Sequence, residues 1–384
     1  MNNNNIIIIV DPKPSLFHLI SALKARNVEI QELCSHTCNR TLALNRTDLS
    51  RVAFALSGSD MGISIAHDIN MILGLSGPID SAALYNKVSQ YHAIRAVEPS
   101  LAFEGVMIFK SQKELRSYLM TCDHKIVIRP DVSSINGSAL VYDANYPSLE
   151  PEIERLFLSA KQVLTHPFIK GTSYFFNGIL YHKKLYLTDT WQCFDLMAND
   201  RNILTSVISR SVDDPVIIKM KHTLQKLSQY FLLDFCPIHF EVVKNDHALK
   251  IVKMVPRIAT EPLPTLCGLA GIKNQLESFD ALLKNKFNEP PMSSEKLNQY
   301  VADYSFIVRN RGHLLSTNRL NHVMQLSSYH HIYSLPGIGS LLQKTTCGAT
   351  YGATVLLRNS DKAALQKDID ICQALNENDM LELI

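Results

Sequence analysis

The sequence is short of the features that assign a protein quickly, and each absence narrows the possibilities. Its eight cysteines, Cys34, Cys38, Cys122, Cys193, Cys236, Cys267, Cys347 and Cys372, are dispersed, without the paired CxxC clusters of a structural zinc site. Reduced thiols are therefore expected. Cys34, His36 and Cys38 could offer three soft ligands from one loop, but a fourth is missing nearby and a plain loop is the simpler reading; the same holds for His330 and His331. An excess of charge of one sign is also lacking. The 38 Lys and Arg residues barely outnumber the 36 Asp and Glu, leaving a net charge of +2, and they are scattered, so no basic stripe invites nucleic acid. The apolar run Ile6-Ile7-Ile8-Ile9-Val10 is far shorter than a membrane span, and Met1-Asn2-Asn3-Asn4-Asn5 lacks the basic start of a signal peptide. A cytoplasmic protein is expected. The chain has no internal repeat, no GxxxxGK[ST] loop and no GxGxxG fingerprint, which removes the two commonest phosphate-binding turns.

What is present is globular material. A chain of 384 residues, 46% hydrophobic and 19% charged, can build two or three domains with proper cores. The β-branched run at 6–10 predicts a buried strand, followed by an amphipathic helix over 16–24 and a strand over 28–33. RVAFAL at 51–56 repeats the pattern ahead of the loop Ser57-Gly58-Ser59-Asp60-Met61-Gly62 and a helix over 63–73 that ends at Gly74. A small doubly wound α/β unit is the consequence. Next come a helix over 81–96 that includes Asn86 and Lys87, a strand near 105–109, a helix over 112–120 and a strand over 125–129 stopped by Pro130. A strand over 139–142 returns from a Ser- and Gly-rich loop in which Ser134, Gly137 and Ser138 could wrap anionic oxygens with small side chains and backbone N–H groups. A helix over 151–163, strands over 174–180 and 184–191 and a long helix over 214–231 complete this stretch.

The segment CPIHFEVVKNDHALKIVKMVPRIATE, residues 236–261, says most. Residues 239–243 and 251–257 alternate polar and apolar side chains around Lys244-Asn245-Asp246-His247, which predicts a β-hairpin. Glu241 then shares a face with His239, and Lys253, Val255 and Arg257 share a face of the returning strand, while Val252 and Met254 point to the core. A loop centred near Asp246 brings the two polar sets together. The guanidinium of Arg257 suits a carboxylate or a phosphate equally.

This order of elements resembles the ATP-grasp superfamily over nearly the whole chain, most closely the carboxylate–amine ligase branch that includes the L-amino-acid ligases. The resemblance implies an α/β (α+β) fold with a Rossmann-like pre-grasp domain over 1–80, two grasp subdomains over 81–165 and 166–297 that clamp ATP, and a C-terminal β-rich subdomain over 298–384. Gly58-x-x-x-Gly62 and Leu73-Gly74-Leu75 look like the family's loop and helix end. Asn86-Lys87 stands where the family has Asp-Lys, which makes Lys87 a phosphate contact. Ile128-Arg129-Pro130 stands for Val-Lys-Pro, with Arg129 in place of the grasp lysine and the flap of Ser134, Gly137 and Ser138 behind it. His166-Pro167-Phe168-Ile169-Lys170-Gly171 fits the hinge that meets adenine, so His166, Phe168 and Ile169 become nucleotide contacts. Ser173 replaces the acid that usually holds the ribose hydroxyls.

In that family Mg²⁺-bound ATP phosphorylates a carboxylate and an amine attacks the acyl phosphate, so ATP, Mg²⁺ and small carboxylate and amine substrates are implied. The resemblance aligns Glu241 with the first metal ligand, Lys253 with a Glu twelve positions later, Val255 with an Asn and Arg257 with the arginine of Asn-x-Arg. Glu261 coincides with an acidic position that assists substrate in some members. The spacing is kept and the chemistry is changed. The sequence leaves two readings open: a ligase in which Lys253 is a built-in cation against the triphosphate, or a degenerate ATP-grasp protein in which Lys253 only pairs with Glu241 and the chain serves as a ligand-binding or partner subunit.

Overall fold

The structure is a computed structural model that describes residues 6–12, 14–37, 48–75, 77, 81–132, 139–143, 149–199, 201–231, 233, 235–284, 297–377 and 380–384. Strands β1 (Ile6–Val10), β2 (Glu29–Leu33) and β3 (Val52–Ser57) form a parallel sheet in the order β2-β1-β3. The central strand is buried throughout, which is why an unbroken β-branched run suits it. Leu16, Leu19 and Leu23 of the helix Pro14–Lys24 pack on Ile7 and Ile9, and Ile65 and Ile69 of the helix Ile63–Ile72 pack on Ile6, Ile8 and Val10. Gly62, just before the second helix, has no space for a side chain: a Cβ there would come within 2.7 Å of Val10 Cγ1 and Ser57 Oγ. The loop 58–62 is thereby held against the C-terminal edge of this sheet.

The second sheet dominates the molecule. It contains β4 (Met107–Phe109), β5 (Ile126–Pro130), β6 (Leu140–Tyr142), β7 (Val163–Pro167), β8 (Thr172–Tyr181), β9 (Lys184–Ala198), β10 (Arg201–Ser209), β11 (Cys236–Lys244) and β12 (Leu249–Val255), in the spatial order β12-β11-β8-β9-β10-β6-β5-β7-β4. From β10 it continues through β13 (Tyr300–Phe306) and β17 (Ala353–Asn359) to β15 (Tyr329–Ser334), and its pairs are antiparallel. A third small sheet joins β14 (Gly312–Ser316) to β16 (Leu341–Leu342) and β18 (Glu382–Leu383). Helices Lys87–Val97 and Pro215–Tyr230 contribute to the core beneath β8, β11 and β12, while Gln112–Leu119 and Glu150–Ser159 contribute to the one against β5 and β7.

Two details depart from the pattern read in the sequence, and both shape the central cleft. The expected continuous helix over 81–96 is a 3₁₀ turn, Ser81–Leu84, and then a helix, Lys87–Val97. Asn86 divides them, accepting hydrogen bonds from Val88 N and Ser89 N at 3.0 Å as an N-cap, so Lys87 becomes the first helical residue. In the hairpin, His239 faces Val255 and Glu241 faces Lys253 as expected, but the register then slips so that Val242 faces Ile251. Val252 is the extra residue of this bulge. Instead of entering the core it is half-buried at a cleft edge, where its carbonyl accepts from Arg129 Nη1 at 2.8 Å. The helix expected over 151–163 stops at Ser159 and Val163 opens β7 instead, and the sequence reading also passed over β10 and the helices Leu263–Ala270 and Gln275–Lys284.

Where β13 joins β10, Asp303 stands opposite Val207, and its Oδ1 accepts from Val207 N at 2.7 Å. Burial pushes its carboxyl up to about 7 against the pull of that hydrogen bond. The folded chain therefore keeps a proton that the unfolded chain releases, and Asp303 erodes stability as pH rises from the ordinary carboxylate range to about 7, with the penalty constant above. Asp303→Asn should raise the melting temperature relative to the parent at about pH 8 and give little or no advantage at about pH 4. Melting curves at both pH values check this; an equal offset at the two would contradict it.

Candidate active site

A cleft of about 850 Å³ opens between β5, β7, β8, β9 and the β11–β12 hairpin, a size in the range of small-molecule and cofactor sites. One end gathers cations. Arg129 projects from β5 and is anchored by the bulged carbonyl of Val252, Lys253 rises from β12, and Lys87 enters from the helix start that Asn86 caps. Lys87 N also donates to Asp131 O at 2.6 Å, which ties that helix start to the end of β5. Burial, and then the charges of Arg129 and Lys253, lower the Lys87 ammonium to about 7. Three cations held this close repel one another, so the arrangement favours an anion among them.

Glu241 lies on the same floor, opposite Lys253, with its Oε1 3.8 Å from Lys253 Nζ and 3.4 Å from His239 Nε2. Burial alone would raise its carboxyl, but Lys253, His239 and Arg129 together hold it below the usual carboxylate range. His239 is fixed from behind: its Nδ1 lies 2.7 Å from Asn177 Oδ1, and Asn177 Nδ2 and Trp191 Nε1 both donate to Asp189 Oδ1 at 2.5 Å. Because the amide oxygen can only accept, Nδ1 of His239 carries a proton. This buried chain sets the orientation of the hairpin's polar face.

An apolar and aromatic wall adjoins these cations. His166, at the end of β7, stacks on Phe103 with ring centroids 3.8 Å apart and 23° between planes. Its Nδ1 lies 3.0 Å from Pro167 O and must donate there, which leaves Nε2 as a buried acceptor with no hydrogen-bond partner among the described residues. Burial, with Arg129 adding to it, lowers this imidazole to about 3. Phe168, Ile169 and Ser173 also line the cleft, and Lys125 Nζ sits 4.7 Å from the Phe168 ring.

The structure thus brings Lys87, Arg129, His166, Phe168, Ile169, Ser173, Glu241 and Lys253 together. Ser134, Gly137 and Ser138 lie outside the described residues. Arg257 does not line the cleft: Nε donates to Asp60 Oδ1 at 2.6 Å and Nη1 to Ile258 O at 2.9 Å. Glu261 borders a separate pocket of about 440 Å³, where Thr265 Oγ1 donates to it at 2.9 Å and Tyr333 OH at 3.3 Å. Sequence reasoning missed Asp60, Asp195 and Asn202. Asp195 and Asn202 line the cleft from β9 and β10, and Asp195 Oδ2 is 3.4 Å from Ser173 Oγ. The alternation of WQCFDLMA at 191–198 was the available signal for this acid, because it extends β9 past Trp191.

The donors do not fit a magnesium ion held by protein carboxylates. Of the three positions that the sequence aligned with metal ligands, Glu241 alone offers an oxygen; Lys253 presents an ammonium and Val255 a hydrocarbon. Among the described residues no group of three His, Cys, Asp or Glu could hold a metal, and hard cations require oxygen ligands. A nucleotide fits better: the cleft sets cations beside an aromatic, hydrogen-bonding wall.

No protein-family sequence model matches the chain, and no curated protein matches it in sequence. Solved structures do match in shape. The L-amino acid ligase from Bacillus licheniformis superposes with a TM-score of 0.71 at 13% identity, covering 100% of this chain and 99% of that one. The carboxyaminoimidazole ribonucleotide synthase from Aspergillus clavatus, complexed with ATP, gives 0.67 at 13% identity over 98% and 100% of the two chains. Phosphoribosylglycinamide synthetase from Anaerococcus prevotii gives 0.62 at 14% identity over 99% of each. With the parallel sheet followed by the large antiparallel sheet that carries the cleft, the chain has the fold of these structures, the ATP-grasp fold.

Proposed function

We propose that this protein binds ATP in the cleft and acts as a carboxylate–amine ligase, with its own cations carrying charge that protein-held magnesium would otherwise neutralise. The observation that supports this most is the convergence of Lys87, Arg129 and Lys253 at one end of a nucleotide-sized cleft. The triphosphate lies against these three groups, and the buried acceptor of His166 suits the exocyclic amine of adenine. Asp195, beside Ser173, supplies the acid that position 173 lacks for the ribose hydroxyls. In the reaction a carboxylate oxygen attacks the γ-phosphorus, the bond to the β–γ bridging oxygen breaks and ADP leaves; a neutral amine then attacks the acyl carbon, the bond from that carbon to the phosphate oxygen breaks, phosphate departs and the nitrogen gives up a proton to solvent. Fixed cations aimed at the developing charge assist the first step without reorganising, although an ammonium cannot template phosphoryl oxygens as an octahedral metal does. The substrates are a small carboxylate, with an amino acid as the leading class, and an amine. The seven described cysteines are free thiols, which supports a reducing, cytoplasmic setting.

A second reading rests on one observation. Asp60 already engages both Lys253 and Arg257 at 2.6 Å, which suits a protein that binds nucleotide without transferring phosphate and serves as a ligand-binding or partner subunit. Calorimetric titration with ATP, with and without Mg²⁺, followed by an assay for phosphate release with amino acids, separates the readings. Both require ATP to bind with less than about a tenfold change on adding Mg²⁺, a difference of about 1.4 kcal/mol. Release of phosphate identifies the ligase, binding without release identifies the degenerate protein, and absence of ATP binding overturns both.

Lys87 supplies a sharper check. Its ammonium is lowered to about 7 in the free protein, and a bound triphosphate must raise it. ATP binding should therefore take up a proton at about pH 8, and affinity should fall as pH rises above about 7, since the free protein must then be protonated to bind. Titrations in two buffers of different ionisation enthalpy measure the uptake. Lys87→Met should abolish it; an uptake unchanged in that variant would show that another group is responsible.

A further inference from the structure

Two further cavities lie behind the aromatic wall of the cleft. A groove of about 590 Å³ opens between the helix Lys87–Val97, which lends it Tyr91 and Arg95, and the segment 99–106. Beneath it is a chamber of about 20 Å³, too small for anything but water. The groove shares Tyr91, Ala102, Phe103 and Val106 with the chamber, and the chamber shares Lys87, Phe103, Arg129 and His166 with the nucleotide cleft. Among the described residues Phe103 alone lines all three, and it is the ring stacked on His166. One side chain therefore separates the outer groove from the nucleotide wall.

The groove has fixed walls and a definite chemistry. Leu101 and Ala102 are buried in the same core as Ile94 of the helix, and Lys250 Nζ donates to Ser100 O at 3.1 Å and to Glu104 Oε1 at 3.2 Å. The segment is thus pinned along its length, and the acid at the groove's rim is engaged by a buried lysine. Arg95 is exposed, and its Nη1 donates to Tyr91 OH at 2.9 Å, which holds the guanidinium at the groove's edge. A single guanidinium fork matches the two oxygens of one carboxylate. The lining between Tyr91 and Phe103, with Ala102 and Val106, suits an aromatic body.

We propose that this groove binds a small aromatic carboxylate, its carboxylate on Arg95 and its ring against Phe103, and that occupancy raises affinity in the nucleotide cleft by backing Phe103 against His166. The chamber beside Phe103 is the slack that a ligand on the outer side takes up. Coupling is reciprocal, so ATP tightens binding in the groove by the same factor. The coupling rests on the nucleotide reading of the cleft; the groove does not.

The test uses the full chain, with benzoate as the probe. In thermal melts without nucleotide, benzoate should stabilise the parent saturably, and acetate or cyclohexanecarboxylate at equal ionic strength should do much less. Arg95→Met should lose this gain while keeping the parent's ATP affinity. In calorimetric titrations, saturating benzoate should tighten ATP binding to the parent several-fold, and Phe103→Leu should still respond to benzoate in melts but lose most of that tightening. The site is overturned if acetate matches benzoate, or if Arg95→Met responds as the parent does; an equal response to cyclohexanecarboxylate overturns the aromatic assignment. Weaker ATP binding in benzoate, unchanged by Arg95→Met, would put benzoate in the nucleotide cleft and overturn the groove as well. A benzoate effect that needs Arg95 yet leaves ATP affinity unaltered overturns the coupling. Should Arg95→Met fail to fold, hydrogen exchange on the parent decides, since benzoate must slow the amides at 99–106 and an unaltered rate there contradicts the proposal. If ATP does not bind at all, the nucleotide reading fails and the melts still decide the groove.

Discussion

The ion cluster of Asp60, Lys253, Arg257 and Glu241 is the interaction on which the remaining organisation of the site depends. It joins the parallel sheet to the main sheet at the place where the cleft floor needs to be rigid. All four groups are largely withdrawn from water, and burial alone would push Asp60 up; Lys253 and Arg257 reverse this and hold it well below the usual carboxylate range. Breaking a buried pair by removing one partner costs about 3–5 kcal/mol, because the charge left behind has no compensation. The cluster therefore acts as a structural clasp as well as a patch of chemistry, and an engineered change at Lys253 affects both.

The same cluster explains the character of the cleft. Lys253 gives charge to Asp60 on one side and to Glu241 on the other, and Lys87 sits near enough to feel both carboxylates as well as the two cations. The net effect leaves Lys87 titrating near pH 7 in the empty protein, a group able to gain protonation as a polyanion arrives. Behind the floor, the chain from His239 through Asn177 to Asp189 and Trp191 fixes the orientation of the hairpin's polar face. Lys253 puts a side-chain cation at the hairpin position that the sequence aligned with a metal ligand.

Much of this was legible in residues of regular pattern. The isoleucine run announced a central parallel strand, and the alternation from His239 to Arg257 announced the hairpin and placed Glu241 against Lys253. What pattern could not reveal came from tertiary contact. The bulge at Val252 shifts one residue to serve Arg129, and no propensity marks it. Asp60 sits in a loop whose composition reads only as a turn, and it meets residues nearly two hundred positions away. Asp195 belongs to the extension of β9 past Trp191, which a shorter strand prediction cut off. Arg257 was read as part of the returning strand and Glu261 from the family resemblance, but the chain leaves β12 at Val255 and neither residue lines the cleft.

The central claim is that Lys253 stands in for a metal on a hairpin whose spacing still fits one, and the direct measurement is metal-dependent thermal stabilisation of Lys253→Glu combined with Val255→Asn. Those two changes restore oxygen donors beside Glu241, and a ligand that binds only the folded state raises stability in proportion to its occupancy. Mn²⁺ with ATP should stabilise the double variant clearly more than ATP alone, and the parent should show no such metal-dependent gain. A parent that gains as much from Mn²⁺ as the double variant would contradict the claim, since the metal would then bind without the donors that Lys253 and Val255 displaced.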